Sequence, residues 1–331
     1  MKIHPKLKTI WEIVRDTFIN WNDSDPFRLS AVVAYYAVFS LPGLLLVVVT
    51  VTGYFVGEAI VREEINKQAS ELIGRQGAEQ LQTMVQNAYE SQSSTFATVA
   101  GVGILLFAAT NLFYHLKISL NRIWGVEARP EKAWLQLIKD RLFSFGLVLA
   151  IGFLLLVSLV ITSLIAAFSG VISEVFGASS TYIYEIINEV ISLFIITLLF
   201  AAIFKVLPDI KIKWKDVLIG SVITAVLFSI GKMLIGFYLG QTDPGSTYGA
   251  AGSIVLILIW FSYSSLIFFL GAEFTQVYAR KFGKHIEPET FAEWTEKKKS
   301  DFPEGRDEVV DQESTVNSTS RSLSVQGRRA R

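Results

Sequence analysis

One lysine, Lys232, stands inside an otherwise uncharged apolar run of more than twenty residues. An ionisable group at membrane depth is costly and by default suggests function. It lies 16 residues after Asp216, about 24 Å along a helix at 1.5 Å per residue. That spacing places it past the midplane of a bilayer. Its chemistry would be a contact to an anionic substrate in a polar cavity, or a lysine that snorkels outward or pairs with Glu185 or Glu189. A second feature is Ser40-Leu41-Pro42-Gly43 within an earlier apolar run. Proline removes a backbone hydrogen bond, and such a break at depth survives only beside protein or water. Tyr35 and Tyr36 lie one to two turns before it. A third group closes another apolar run. Tyr114, Lys117 and Asn121 share one helical face there, and Asn111, His115 and Arg122 fall near another. Glu273 follows Gly271-Ala272 at the end of the last apolar run and is placed to pair with Arg28, Arg122 or Arg141.

Other chemistries are missing. The chain has no cysteine, so thiolate metal sites, disulfides and cysteine nucleophiles are excluded. His4, His115 and His285 are too far apart to suggest a metal site by spacing. No Walker loop, His-Glu-x-x-His or Gly-x-Ser-x-Gly occurs. Lys plus Arg equals Asp plus Glu, 30 against 30, so no net basic field exists to hold nucleic acid. No cofactor is implied.

The elements that position these residues are membrane helices. Of 331 residues, 51% are hydrophobic and 18% charged, and the mean hydropathy is +0.44. A soluble chain of this composition would expose too much apolar surface. A span needs about 20 apolar residues. Six runs qualify, at 29–57, 96–116, 142–173, 186–207, 217–240 and 245–272. The fold expected is all-α, a bundle of six transmembrane helices. The loops that alternate along this order carry 26 basic residues on one side and 3 on the other. The basic side is cytoplasmic, so both termini are expected there. The first 28 residues carry nine charges, and no signal peptide is expected.

Outside the bilayer, residues 1–28 have Ile10, Trp11, Ile13, Val14 and Phe18 at helical spacing. They predict an interfacial helix on the inner leaflet. Residues 58–95 predict two external amphipathic helices broken between Gly74 and Gly77. That segment could bind envelope proteins. Residues 284–331 are rich in Glu, Lys, Ser and Arg and predict a disordered cytoplasmic tail. The transmembrane domain is therefore expected at 29–283. Gly236 and Gly240 form a Gly-x-x-x-Gly, and Gly249 to Gly252 opens the sixth run. These predict that the fifth and sixth spans pack through glycine.

Several stretches carry a family resemblance. Asp25-Pro26, Ala34-Tyr35-Tyr36 and Phe39-Ser40-Leu41-Pro42 come first, then Ala109-Thr110 and Leu120-Asn121-Arg122-Ile123-Trp124. Leu207-Pro208-Asp209, Tyr248-Gly249-Ala250-Ala251-Gly252, Trp260 and Gly271-Ala272-Glu273 follow in order. Over residues 10–283 the chain resembles the YihY/BrkB family of bacterial inner-membrane proteins. Two departures are small: many relatives have a second proline at Gly43 and alanine at Ser119. The resemblance implies six helices in the inner membrane, a link to serum resistance that gave the virulence-factor name, and movement of lipids or other envelope components. It also brings an old ribonuclease BN label that no residue pattern here supports. Tyr248 joins the site candidates on this ground.

The resulting expectation is a transporter or flippase with membrane lipids as partners and no nucleic acid. The candidate residues are Tyr35, Tyr36, Ser40, Pro42, Asn111, Asn121, Arg122, Lys232, Tyr248 and Glu273. The alternatives are a non-catalytic scaffold for envelope assembly and, third, a membrane enzyme. The sequence sets no oligomeric state.

Overall fold

A computed structural model describes residues 5–90, 95–128, 146, 180–242, 252–283 and 286–295. The third expected span, 142–173, lies outside the described residues, as does Tyr248. The described elements are helices α1 (Pro5–Asp23), α2 (Pro26–Val56), α3 (Glu58–Glu90) and α4 (Thr95–Trp124), strand β1 (Val126–Ala128), α5 (Ser180–Val206), β2 (Ile210–Lys211), α6 (Trp214–Thr242), α7 (Gly252–Phe282), and strands β3 (Glu287–Pro288) and β4 (Ala292–Trp294).

Three helices contain segments long and apolar enough to cross a membrane: Glu189–Val206, Trp214–Tyr238 and Ile254–Phe282. A shorter apolar segment, Pro26–Leu41, belongs to α2. That helix begins on Pro26, whose fixed φ suits the first helical position. It continues without a break through Pro42 and Gly43. It ends on Gly57 at φ 98°, whose N–H donates to the Gly53 carbonyl at 2.8 Å. A residue without Cβ adopts that conformation freely, and α3 starts immediately afterwards.

α3 turns back on itself. Arg62 donates to Gln86 at 3.1 Å although the two are 24 residues apart. A straight helix would separate them by about 36 Å. The turn lies near Gly74 and Gly77. The resulting hairpin does not stand away from the bundle. Ala69, Ala78 and Leu81 share a buried cluster with Ile235 of α6 and with Ile257 and Trp260 of α7, against which Val38, Leu41 and Leu45 of α2 pack. Leu45 and Val49 of α2 line a small space with Ile65, Ala69, Ala78 and Leu81 of the hairpin.

α6 and α7 are locked by a reciprocal fit. Thr224 of α6 donates to its own Gly220 carbonyl at 2.7 Å, and Thr275 of α7 donates to its own Gly271 carbonyl at 2.7 Å. Each threonine thus satisfies its hydroxyl and presses on the other helix's glycine. A Cβ on Gly220 would stand 2.0 Å from Thr275 Oγ1, and one on Gly271 2.1 Å from Thr224 Oγ1. The two helices thus pack through glycine as expected, here at Gly220 and Gly271; at Gly236 a Cβ would meet no described residue within 4 Å. Lipid chains are as apolar as leucine, so close packing of this kind holds membrane helices together.

The expectation of a disordered tail from 284 is corrected. β4 pairs antiparallel with β1, with Val126 opposite Trp294, and β3 pairs with β2, with Ile210 opposite Pro288. Trp294 is buried, and it joins the main core with Trp124, Val126, Ile210, Phe204 and Phe269. Residues 286–295 therefore form a strap that ties the loop after α4 to the loop after α5.

Candidate functional site

The ends of α1, α4 and α7, the α5–α6 loop and the strap meet around a cavity of about 780 Å³. α4 supplies Tyr114, Lys117, Ile118 and Asn121, of which 114 and 118, and 117 and 121, are four apart, so that the set covers one face. The helix stops at Gly125, φ 72°, which turns the chain into β1. α1 contributes Asn20, Asp23 and Ser24, and α7 contributes Glu273 and Arg280. Thr295 of the strap closes one side by donating through both N–H and hydroxyl to the Gly125 carbonyl, at 2.9 and 3.1 Å.

Asp209 is the hub of the wall. Lys117 pairs with it at 2.7 Å, with both side chains almost wholly buried. Asn121 donates Nδ2 to Asp209 Oδ2 at 2.8 Å, and its Oδ1 accepts the Asp209 N–H at 2.8 Å. The Asp209 carbonyl accepts the Glu289 N–H at 3.0 Å, which anchors the strap. A buried charge survives when paired and hydrogen-bonded, and this pair is both.

Glu273 is 1% exposed and accepts a hydrogen bond from the Ser24 hydroxyl. One turn on, the buried Gln276 donates to the Ile123 carbonyl at 2.8 Å. Its Oε1 has no partner among the described residues. Arg122 pairs with Asp25 at 2.9 Å, and Arg28 also pairs with Asp25. Asp25 itself takes a left-handed conformation, φ 55°, between α1 and α2. These contacts bind the start of α2 to the end of α4. Thus the lining holds Lys117, Arg122 and Arg280 beside Asp23, Glu127, Asp209 and Glu273. Such a mixed-charge wall can hold a polar group bearing both signs.

Of the ten candidate residues, Asn121, Arg122 and Glu273 line the cavity, together with Tyr114 and Lys117 from the face read off the sequence. Tyr35, Tyr36, Ser40, Asn111 and Lys232 do not. Tyr36 stacks on His115 with ring centres 3.6 Å apart, deeper between α2 and α4. Tyr35 is exposed and lies against Phe39. Ser40 is buried and donates to the Ala37 carbonyl at 3.3 Å. Pro42 lies within α2, and Asn111 is partly buried on α4, about 15 Å from Asn121 along the helix. Lys232 is partly buried on α6 and absent from the cavity wall. Asp209, Ser24, Arg280 and Gln276 were not among the site candidates. The Pro208-Asp209 turn was the one sequence signal for the hub. The described residues contain no group of three or more His, Asp or Glu able to hold a metal.

α1 is held on the outside by Lys281, which donates to Glu12 at 2.6 Å. That hydrogen bond and the ammonium charge hold the Glu12 carboxyl below its ordinary range. A carboxylate with a lowered pKa stabilises the docked state above the ordinary carboxylate range. The contribution is lost as the pH falls through the lowered value. Hydrogen exchange of α1 amides should therefore be slow at neutral pH and rise in acid. Glu12→Gln should give the faster exchange already at neutral pH. Unchanged exchange in that variant would contradict the role of the pair.

The family model for virulence factor BrkB matches residues 17–294. A UPF0761 membrane protein of Tolumonas auensis is 28% identical over 264 residues, covering 77% of this chain and 81% of that protein. A ribonuclease-like protein of Bacillus subtilis, YfkH, is 24% identical over 247 residues, covering 74% and 86%. No solved structure matches the chain. The match spans the bundle, the cavity wall and the strap together, and the chain is a membrane protein of the virulence factor BrkB family.

Proposed function

We propose that this protein moves a lipid or a similar amphiphilic envelope component across the bacterial inner membrane. In this reading the chain crosses six times, with both termini and the cavity on the cytoplasmic side. The observation that carries it is a mixed-charge cavity of about 780 Å³ built into the end of a bundle of apolar helices. Packed ends of structural helices have no need of such a space. Arg122 and Arg280 suit a phosphate, and Glu273 and Asp23 suit an ammonium or hydroxyl group on the same headgroup. The basic loops support the orientation. The polar hairpin of α3 would occupy the outer half of the path.

The test is transfer of fluorescent phospholipid between leaflets of proteoliposomes. Glu273→Gln and Arg280→Gln should each slow protein-dependent transfer by about 10- to 100-fold, the value of one charged hydrogen bond. Lys232→Met, outside the cavity, should transfer at close to the parent rate. No protein-dependent transfer across phospholipid classes would overturn the reading and leave the scaffold alternative.

A further inference from the structure

A second, apolar groove of about 880 Å³ lies on another side of α7, between α1 and the α6–α7 pair. Its walls are three helical ridges. α7 gives Leu270, Phe274, Tyr278 and Phe282, each four residues after the last. α6 gives Ile219, Ile223 and Leu227 at the same spacing. α1 covers the groove with Ile10, Val14 and Phe18 and with Thr9, Ile13 and Thr17.

We propose that this groove seats one acyl chain of an anionic phospholipid from the leaflet on which α1 lies. Three observations select that occupant. First, the α7 ridge runs about 18 Å from Leu270 to Phe282, close to one leaflet of a hydrocarbon core about 30 Å thick. Its upper part is an aromatic floor, with Phe274–Tyr278 and Tyr278–Phe282 ring centres 6.2 and 5.0 Å apart. Second, α1 is amphipathic and shows Trp11, Phe18 and Ile19 outward as well. That is the pattern of a helix lying in the interface. Third, exposed lysines border the lining residues in sequence: Lys215 stands one turn before Ile219 on the same α6 ridge, and Lys8 directly precedes Thr9 on α1. Their charge complements an anionic headgroup, and basic residues at this level attract acidic lipid. The lipid would add to the docking of α1, which is fastened by Glu12–Lys281, by Ser24–Glu273 just beyond its end and by Trp21 against the main core. The inference stands without the transport reading, since a resident lipid needs no turnover.

The test uses the full chain in phosphatidylcholine nanodiscs. These carry a small, equal fraction of either phosphatidylglycerol or phosphatidylcholine with a photoreactive group on the acyl chain. Adducts are mapped by peptide mass spectrometry. Residues 219–227 and 270–282 should be labelled well above residues 190–194 of α5, whose Val190 and Phe194 are exposed and report ordinary boundary lipid. Phosphatidylglycerol should label the groove about fivefold better for each of Lys8 and Lys215. Lys8→Gln with Lys215→Gln, both surface changes, should bring the two lipids to parity with the adduct positions unchanged. Groove labelling no higher than on α5, or equal for both lipids in the parent protein, overturns the proposal. So do protein–protein crosslinks through groove residues, which would assign the face to a second copy.

Discussion

Gly271→Leu is expected to separate α6 from α7. The added Cβ alone would stand 2.1 Å from Thr224 Oγ1 and 2.5 Å from its Cγ2. Neither can retreat, because the Thr224 hydroxyl is held on the Gly220 carbonyl and the side chain is fully buried. Overpacking a tight site costs about 1–3 kcal/mol. Here the clash is with a β-branched side chain on a rigid helix, so a loss of about 3 kcal/mol in detergent unfolding is expected. Gly220→Leu should act alike through Thr275. Two controls make the result specific. Gly236→Leu should be tolerated, since no described residue lies within 4 Å of its Cβ position. Gly271→Ala should be partly rescued by Thr224→Ala, which removes the two closest atoms. Such coupling is the mark of neighbouring sites. Gly271→Leu as stable as the parent would contradict the lock.

The second large effect is expected at Asp209. Asp209→Ala removes the carboxylate 2.7 Å from the buried Lys117 ammonium and takes an acceptor from Asn121. Removing one member of a buried ion pair costs about 3–5 kcal/mol. Thermal unfolding of the purified protein should fall accordingly. Hydrogen exchange in residues 286–295 should rise, because the strap is anchored on the Asp209 carbonyl. Adding Lys117→Met should recover part of the loss, since the buried ammonium is then removed with its carboxylate. A single variant that loses nothing would mean the pair is solvated in the membrane-bound protein.

These two sites mark how far the sequence could be read. The apolar helices were legible because charge-free runs have one physical explanation, and α2, α5, α6 and α7 overlap the runs read as spans. The reversal in α3 was legible because two glycines interrupt the helical periodicity. Packing of α6 on α7 through glycine was legible, but not its place at Gly220 and Gly271. The contact is a glycine and a threonine four apart on each of two helices, which no single stretch displays. The strap was missed because strands of two and three residues carry no periodicity. Only Trp294, an aromatic within a charged stretch, hinted at a buried segment. At the site, the Tyr114, Lys117 and Asn121 face was visible from spacing. Its partner Asp209 was not, because 88 residues separate Asn121 from it. Lys232 drew attention as an intramembrane charge, yet the cavity lies at the end of the bundle that carries Glu273.

The most direct measurement uses the absence of cysteine from the chain. Ile118→Cys places one thiol on the cavity wall at a position that is 46% exposed. Its side chain takes no part in the hydrogen bonds and ion pair of Asp209. Phe194→Cys, on the exposed face of α5, is the control. Both should transfer fluorescent phospholipid in proteoliposomes before modification. After reaction with a bulky thiol reagent, the Ile118→Cys protein should lose transfer while the Phe194→Cys protein keeps it. Full transfer by the fully modified Ile118→Cys protein would contradict the cavity as the path.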